Sequence, residues 1–542
     1  MLNDKKIKKN IFQELISSQM ETSKDLDLFR RQMAKKHRVT CLSNSDLLKI
    51  YHENLPKKSG KGRPSLFALE RLLIKRPMRS LSGVVNVSVL TKPYPCPGKC
   101  IFCPTQKNIP KSYLAKEPAV QRAILNKFDP YQQVWTRLLS LKETGHPIDK
   151  TEIRIIGGTW SYYPKKYQEW FIAECFRACN EFGGRKITNY ELRITNLRKE
   201  QNKNERAKCR VVSLAVETRP DYINTQEIKW MRELGITKVE LGVQTVDDKI
   251  LNLNQRGHGV QEIIEATRLL KNAGFKVSYQ MMPNLYGSTL KKDLAVFKEI
   301  FTNPDFKPDF LKIYPLALVK NTQLYNLYQQ GKFKPYSEKE LTKLLIEIKK
   351  IIPRWIRVER IIRDIPSNEI VEGGSKILNL RAMVVTQMNK QGVTCQCIRC
   401  REVGARYDPK EKLYLFRENY TASGGQEIFL TFENKEHTKL LGLLRLRLHN
   451  QEGGNLLPEN SGAIVRELHV FGQMTQITHG GKTSINSNQH KGLGKKLITE
   501  AEKIAKKFGY KKIAVISAIG ARPYYRKLGY KLQNTYMVKS LN

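Results

Sequence analysis

Cys96, Cys100 and Cys103 fall within eight residues, in the run YPCPGKCIFCP. Three thiolates at that spacing can hold three irons of a 4Fe-4S cube and leave the fourth iron open to another ligand. A structural zinc knot would lack its fourth ligand and a disulfide scheme would leave an odd thiol, so neither accounts for the set as simply. Cys395, Cys397 and Cys400, in TCQCIRCREVG, make a second triplet. Their C-x-C-x2-C spacing suits three thiolates around one zinc, the fourth ligand coming from elsewhere in the fold; plain burial gives three thiols so close little packing rationale. A third group is made of backbone. In Gln489-His490-Lys491-Gly492-Leu493-Gly494 the glycines bare amide N–H groups at a helix start, where the helix dipole favours pyrophosphate, whether of coenzyme A or of a nucleotide; a structural glycine turn is the bland alternative.

These groups need elements to position them. Between about residues 81 and 370 short apolar strands, predicted at 152–156, 211–216, 239–243, 276–280 and 310–314, alternate with amphipathic helical stretches such as 261–274, which ends on a glycine. Repeated strand, helix, strand units imply an α/β fold with a parallel sheet under helices, here a partial TIM barrel. Its chemistry belongs on the loops after the strands, and the first cysteine run precedes the first such helix. A junction at about 371–405 carries the second triplet. From about 406 to 542 the pattern becomes antiparallel, with strands at 428–433, 440–448 and 463–472, then the glycine loop and a helix to residue 510, and a last strand before RPYYRKLGY: a separate α+β domain with its own sheet.

The chain has 542 residues, and 95 Lys plus Arg against 51 Asp plus Glu give a net charge of +44. Such a surface attracts polyanions and gains affinity by releasing their counterions, so nucleic acid is the expected partner. The first eighty residues are polar and basic with helical patches. Lys57, Lys58, Lys61 and Arg63 among glycines and prolines, followed by Lys75, Arg76 and Arg79, make a cationic stretch that can follow a phosphate backbone or serve as a solvated linker. Clustered cysteines suit a reducing compartment, and neither a signal-like leader nor a membrane span is apparent, so a cytoplasmic protein without membrane attachment is expected.

The first triplet's spacing resembles that of the radical S-adenosylmethionine (SAM) enzymes, whose open iron chelates the amino and carboxylate groups of SAM. The order of long strand, glycine loop, helix, strand and aromatic turn resembles the GNAT acetyltransferases, which implies acetyl-CoA, its pantetheine paired along the exposed edge of the strand at 464–470. Joined in one chain, these halves resemble the Elongator protein 3 family from about residue 75 onward, through IIGGTW, VETRPDY, LGVQT, NQRGH, GFKVSYQMMP, LKIYP, RDIP, CREVG, VRELHVFG and KIAVISAIGARPYYRKLGY. Two features depart from that family. The first two cluster cysteines are closer than in its eukaryotic members, and Pro104-Thr105-Gln106 replaces a Pro-Gly-Gly run.

The resemblance implies a tRNA-modifying acyltransferase that installs carboxymethyl groups at carbon 5 of the wobble uridine, with a tRNA anticodon stem-loop as substrate and accessory or Elongator-like subunits as partners. SAM cleavage at the cluster would give a 5'-deoxyadenosyl radical that takes hydrogen from the methyl of acetyl-CoA. The carbon radical would then add to uracil, and hydrolysis would release CoA. It further implies cluster ligation by Cys96, Cys100 and Cys103, and SAM contacts from Gly157, Gly158, Thr159, Glu217 and Arg219. Acetyl-CoA contacts are implied for Lys150, Glu467, Leu468, His469, Val470, Gln489, Gly492, Leu493, Gly494, Lys495 and Tyr525. Tyr524 or Tyr525 could protonate the leaving sulfur, packing of the C-terminal hairpin being the other use of those rings. Two rival functions remain, a protein lysine acetyltransferase whose Fe-S cluster is only structural and a non-catalytic tRNA-binding scaffold.

Overall fold

The computed structural model describes residues 4–18, 20–54, 69, 72–75, 79–182, 196–374, 380–404, 408, 410–449, 457–458, 461–472 and 492–541. Lys57, Lys58, Lys61, Arg63, Arg76 and Gln489 lie outside them. The chain opens with three helices, Lys5–Ser17, Ser23–Lys36 and Asn44–Asn54, which bury a small core of their own around Phe12, Leu26, Phe29, Leu47 and Tyr51. The helical patches expected there are present; their shared apolar core went unread because its residues are scattered through a lysine-rich segment.

Seven parallel strands follow: β1 (Val85–Leu90), β2 (Lys150–Ile156), β3 (Arg210–Thr218), β4 (Lys238–Gln244), β5 (Lys276–Met281), β6 (Phe310–Ile313) and, after the short β7 (Ala317–Val319), β8 (Arg357–Arg360). Their order is β1-β2-β3-β4-β5-β6-β8, while β7 pairs with β9 (Ile370–Gly373) in a two-stranded ribbon. The five predicted strands are all present, and the sheet gains an edge strand at each end. The β8 sequence RVER carries no apolar run because Glu359 turns inward to Lys238, while Arg360 pairs with Asp364 nearer the surface.

Side chains prove the curl. Arg154 on β2 holds Glu240 on β4 in a bidentate pair at 3.0–3.1 Å, Lys312 on β6 also meets Glu240, and Lys238 on β4 reaches Glu359 on β8 at 2.6 Å. In a flat sheet β4 and β8 would stand about 14 Å apart, three strand spacings, so the sheet must curl into a half-barrel. Glu240, Lys238 and Lys312 are almost fully buried, each satisfied by opposite charge.

The second sheet comprises β10 (Tyr414–Ala422), β11 (Gly425–Glu433), β12 (Leu440–His449), β13 (Ala463–Val470), β14 (Lys512–Val515), β15 (Lys531–Gln533) and β16 (Tyr536–Ser540), in the order β10-β11-β12-β13-β14-β16-β15. All its pairs are antiparallel except β13 with β14. The helix Leu493–Lys507 covers it with Leu497, Ile498, Ala501 and Ile504.

Arginines that read as strand residues join the two bodies. Arg466, bulged out of the β12–β13 register, bonds Asp309 at the start of β6 (3.0 Å), Glu427 (2.9 Å) and the Phe275 carbonyl (2.7 Å). Arg447 bonds Asn272 at 3.0 Å and Arg445 the Trp355 carbonyl at 2.7 Å. Burial would raise the Asp309 carboxyl, but Arg466, Lys271 and Arg445 hold it far below its usual range. The apolar core is continuous across this joint through Ile464, Ala514 and Ile516.

Candidate functional site

The C-terminal ends of the parallel strands converge on one cavity of about 810 Å³. Cys96, Cys100 and Cys103, on the loop after β1, line it together with Gly158 and Thr159 after β2, Glu217 and Arg219 at the end of β3, and Arg256 beyond β4. Gly157 and Gly158 adopt φ of +129° and +111°; a Cβ on Gly157 would fall 2.1 Å from Thr91 Oγ1, so glycine is required where β2 turns past β1. Thr159 Oγ1 lies 3.8 Å from Cys96 Sγ. Glu217 accepts from the Tyr113 hydroxyl at 2.9 Å and the Gln280 amide at 3.0 Å.

The thiols meet cations. Arg256 donates to Cys100 Sγ at 3.4 Å, and a Cβ on Gly98 would strike Arg219 Nη1 at 2.5 Å. Arg219 is anchored by Asp221 (2.8–3.3 Å), yet its Nη1, Arg256 Nε and His258 Nε2 are buried with no hydrogen-bond partner. Burial and then the Arg256 charge push His258 down to about 4, and burial and then the neighbouring Cys100 raise Cys103 to about 11. The two arginine donors without acceptors beside thiols fit an anionic occupant, such as thiolate-bound iron with the carboxylate of SAM, while His258, neutral and giving its Nδ1 proton to the Gly259 carbonyl, offers Nε2 as an acceptor. Arg256 and His258 belong to NQRGH, a segment recognisable in the sequence whose role only this packing supplies.

At the opposite end of the half-barrel, Lys150 opens β2 beside Arg210, and the turn Ile519–Ala521 packs so tightly on β3 that a Cβ on Gly520 would lie 2.7 Å from Arg210 Cβ. Burial and then the Arg210 charge lower Lys150 to about 8. The same turn leads into Tyr524 and Tyr525. Tyr524 is 39% exposed and its hydroxyl would lie 2.8 Å from a Cβ on Gly494, with Val470 also in contact there; Tyr525 is 7% exposed and packs in the core against Tyr530. Gly492, at φ +81°, starts the helix with no side-chain cap, and Lys495 is exposed on its first turn while Leu493 is buried. β13 pairs with β14 only from Ala463 to Val465, so among the described residues Glu467, Leu468 and His469 pair with β12 and leave the edge towards β14 open. Glu467 is held by Arg445 at 2.8 Å, and His469 Nε2 donates to the Ser82 carbonyl at 2.7 Å while its ring stacks on Phe471. An open edge, a glycine-led helix start and a nearby hydroxyl can take a pantetheine chain and its pyrophosphate.

The second triplet differs from the first. Cys395, Cys397 and Cys400 are the one His, Cys, Asp or Glu group among the described residues whose ligand atoms all lie within 4.8 Å of one another. Tetrahedral zinc sets thiolates about 3.8 Å apart, so one ion fits. Lys349 donates to Cys400 at 3.6 Å. Of the cationic stretch, Lys75 is exposed and Arg79 lines the cavity. No helix of the described residues is long and apolar enough to cross a membrane.

A parallel half-barrel with a three-cysteine loop at its strand ends, joined to a splayed acetyltransferase sheet, defines an enzyme of the radical SAM and acetyltransferase type, using a 4Fe-4S cluster, SAM and acetyl-CoA. The Radical SAM superfamily matches residues 94–299, its C-terminal domain 308–390, and the Acetyltransferase (GNAT) domain 486–539. The chain is 45% identical over 512 residues to the tRNA uridine(34) acetyltransferase of Methanocaldococcus infernus, covering 92% of this chain and 91% of that one. It is 35% identical over 548 residues to Elongator complex protein 3 of Homo sapiens, covering 98% and 96%. The solved Methanocaldococcus infernus Elp3 lacking residues 1–46 superposes with a TM-score of 0.72 at 43% identity, covering 85% of this chain and all of that one. The chain belongs to the Elongator protein 3 family.

Proposed function

We propose that this protein modifies the wobble uridine of tRNA by adding a carboxymethyl group at carbon 5, as a tRNA carboxymethyluridine synthase. The observation that carries the proposal is the pairing of two half-sites, the cation-ringed cysteine loop and the β13 edge, in bodies locked by the buried Asp309–Arg466 pair. Family members named for uridine(34) of tRNA and for Elongator support a tRNA substrate. When bound, the cluster and SAM supply a 5'-deoxyadenosyl radical and acetyl-CoA the two-carbon unit. In this assignment Cys96, Cys100 and Cys103 hold the cluster, while Arg219, Arg256, Gly158 and Thr159 orient SAM and the cavity walls exclude water. Lys150 and the Gly492 helix start attract the coenzyme's phosphates, the β13 edge aligns its amides, and Tyr524, more accessible than Tyr525, is placed to give a proton to the departing sulfur. Cys395, Cys397 and Cys400 hold a structural zinc at the junction.

We assign the tRNA-binding region to residues 1–80, the radical SAM domain to 81–370, the zinc junction to 371–405 and the GNAT domain to 406–542, in a cytoplasmic protein that works with accessory or Elongator-like subunits. The test is anaerobic incubation of reconstituted protein with reductant, SAM, acetyl-CoA and unmodified tRNA, followed by mass spectrometry of the digested RNA. 5-Carboxymethyluridine is expected only when all components are present. Acetylated peptide formed without SAM, and no modified uridine, would overturn the proposal in favour of a lysine acetyltransferase.

A further inference from the structure

Arg79, Arg122 and Arg137 line the same cavity as the cysteines but come from three different elements: the connector before β1, the helix Pro118–Leu125 and the helix Pro130–Glu143. The connector is clamped. His146, buried, accepts from the Ser80 hydroxyl at Nδ1 (2.9 Å) and donates from Nε2 to the Lys75 carbonyl (3.0 Å), and the Lys75 N–H donates to the Thr144 carbonyl (3.3 Å). One neutral imidazole, used at both nitrogens, thereby sets Arg79 beside the end of the second helix. The imidazole is held neutral by burial first and then by the charges of Arg79 and Arg137.

The three guanidinium groups work against one another. Burial and then the charges of Arg122 and Arg79 push Arg137 down to about 10, and Arg122 is lowered by burial and by Arg79, with Asp364 offsetting part and Arg360 adding to it. Like charges gathered on a cavity wall raise the free energy of the empty state, and an anion placed among them lowers it. Arginine offers a planar fork of donors that matches phosphate oxygens. The flanks are unusual as well. Leu125, one helical turn from Arg122, is 82% exposed. Aliphatic surface beside a phosphate fork suits an unstacked nucleotide, whose sugar and base need apolar contact once they leave the helix.

We propose that Arg79, Arg122 and Arg137 form a ledge that binds a phosphate ester of the RNA backbone where the cavity meets the surface, fixing the strand next to the base that enters. The proposal rests on the tRNA assignment above and adds the element that registers the strand. A phosphate of the coenzyme has the same chemistry and is the competing occupant, although the glycine-led helix start at Gly492 already offers the pyrophosphate a site.

The test uses the full chain with the double substitution Arg122→Gln/Arg137→Gln and the conservative pair Arg122→Lys/Arg137→Lys. Binding of an anticodon stem-loop RNA and, separately, of acetyl-CoA is measured between about 50 and 200 mM salt, with thermal melting to establish folding. RNA affinity is expected to fall about tenfold with a salt slope shallower by about 1, the lysine pair to recover most of both, and acetyl-CoA affinity to stay unchanged. A loss of acetyl-CoA affinity with RNA binding intact would overturn the RNA occupant and put the coenzyme phosphate on the ledge. No change in either ligand with a folded protein would overturn the ledge itself. Failure of the unsubstituted chain to bind the stem-loop would instead refute the tRNA assignment, and the coenzyme arm would still decide whether the ledge holds phosphate.

Discussion

In the proposed function the two ends of the half-barrel solve the same problem, holding an anionic cofactor, by different means. At the strand C-termini the site is built from side-chain charge: Arg219 and Arg256 crowd the cysteine loop and keep buried donors without acceptors. At the acetyltransferase end it is built from backbone: a strand edge that β14 leaves beyond Val465, a helix start opened by Gly492 and one half-buried lysine. Charge-built sites demand a particular ligand, because their donors are costly to leave empty; backbone-built sites accept any ligand with the matching amide and phosphate pattern. Specificity for the radical chemistry therefore resides at the first end, and the second supplies position.

Substitution at the first end breaks this contrast hardest. Cys100→Ser is expected to abolish 5'-deoxyadenosine formation while stem-loop affinity stays within about twofold, measured by product chromatography and equilibrium binding. Arg256→Gln, which removes the donor to Cys100 but no thiolate, should keep iron content and lower SAM cleavage about 10- to 100-fold, the usual effect of a partner that orients a metal ligand. A smaller, several-fold effect belongs to the other end. The ammonium of Lys150 is lost as pH rises through about 8, so acetyl-CoA affinity should fall across that range by titration calorimetry, and Lys150→Arg should flatten the profile. The same depression means that the unfolded chain binds more protons than the folded one between about 8 and the ordinary lysine value, so this group's contribution to stability increases with pH while affinity declines. A parallel rise of both would rule out the ammonium as the coenzyme's contact.

Much of the site was legible before the fold. The cysteine triplets and the glycine loop at 492–494 are local: each needs only residue type and spacing to state its chemistry, whereas the paired glycines at 157 and 158 were marked only by the family resemblance. The edge strand β8 was not legible, because apolar runs announce strands with two buried faces whereas Glu359 of RVER turns its charge inward to Lys238; β1, VNVSVL, does alternate as a strand with one buried face should. Arg122 and Arg137 lay in ordinary amphipathic helices, with nothing local to mark them as cavity walls. The resemblance favoured Tyr525 as the ligand contact and left Tyr524 undecided, whereas the packing puts an exposed hydroxyl of Tyr524 over Gly494 and the Tyr525 ring in the core.

The sequence by itself determined the metal-binding spacings, the alternation that makes a parallel sheet, the change of pattern near residue 406 and the basic charge of +44, since all are properties of neighbours along the chain. The tertiary structure decided which charges are paired and which wait for a ligand. Arg445, Arg447 and Arg466 read as strand residues that could face water, yet they are buried as the bolts between the two bodies, ion-paired with Asp309, Glu427 and Glu467 from distant positions, although Arg445 Nη1 and Arg466 Nε each keep a donor without an acceptor. Arg219 and Arg256 keep donors open. Both fates follow from long-range electrostatics in a low-dielectric interior, where the energy of an arginine depends on which carboxylate the fold brings within reach.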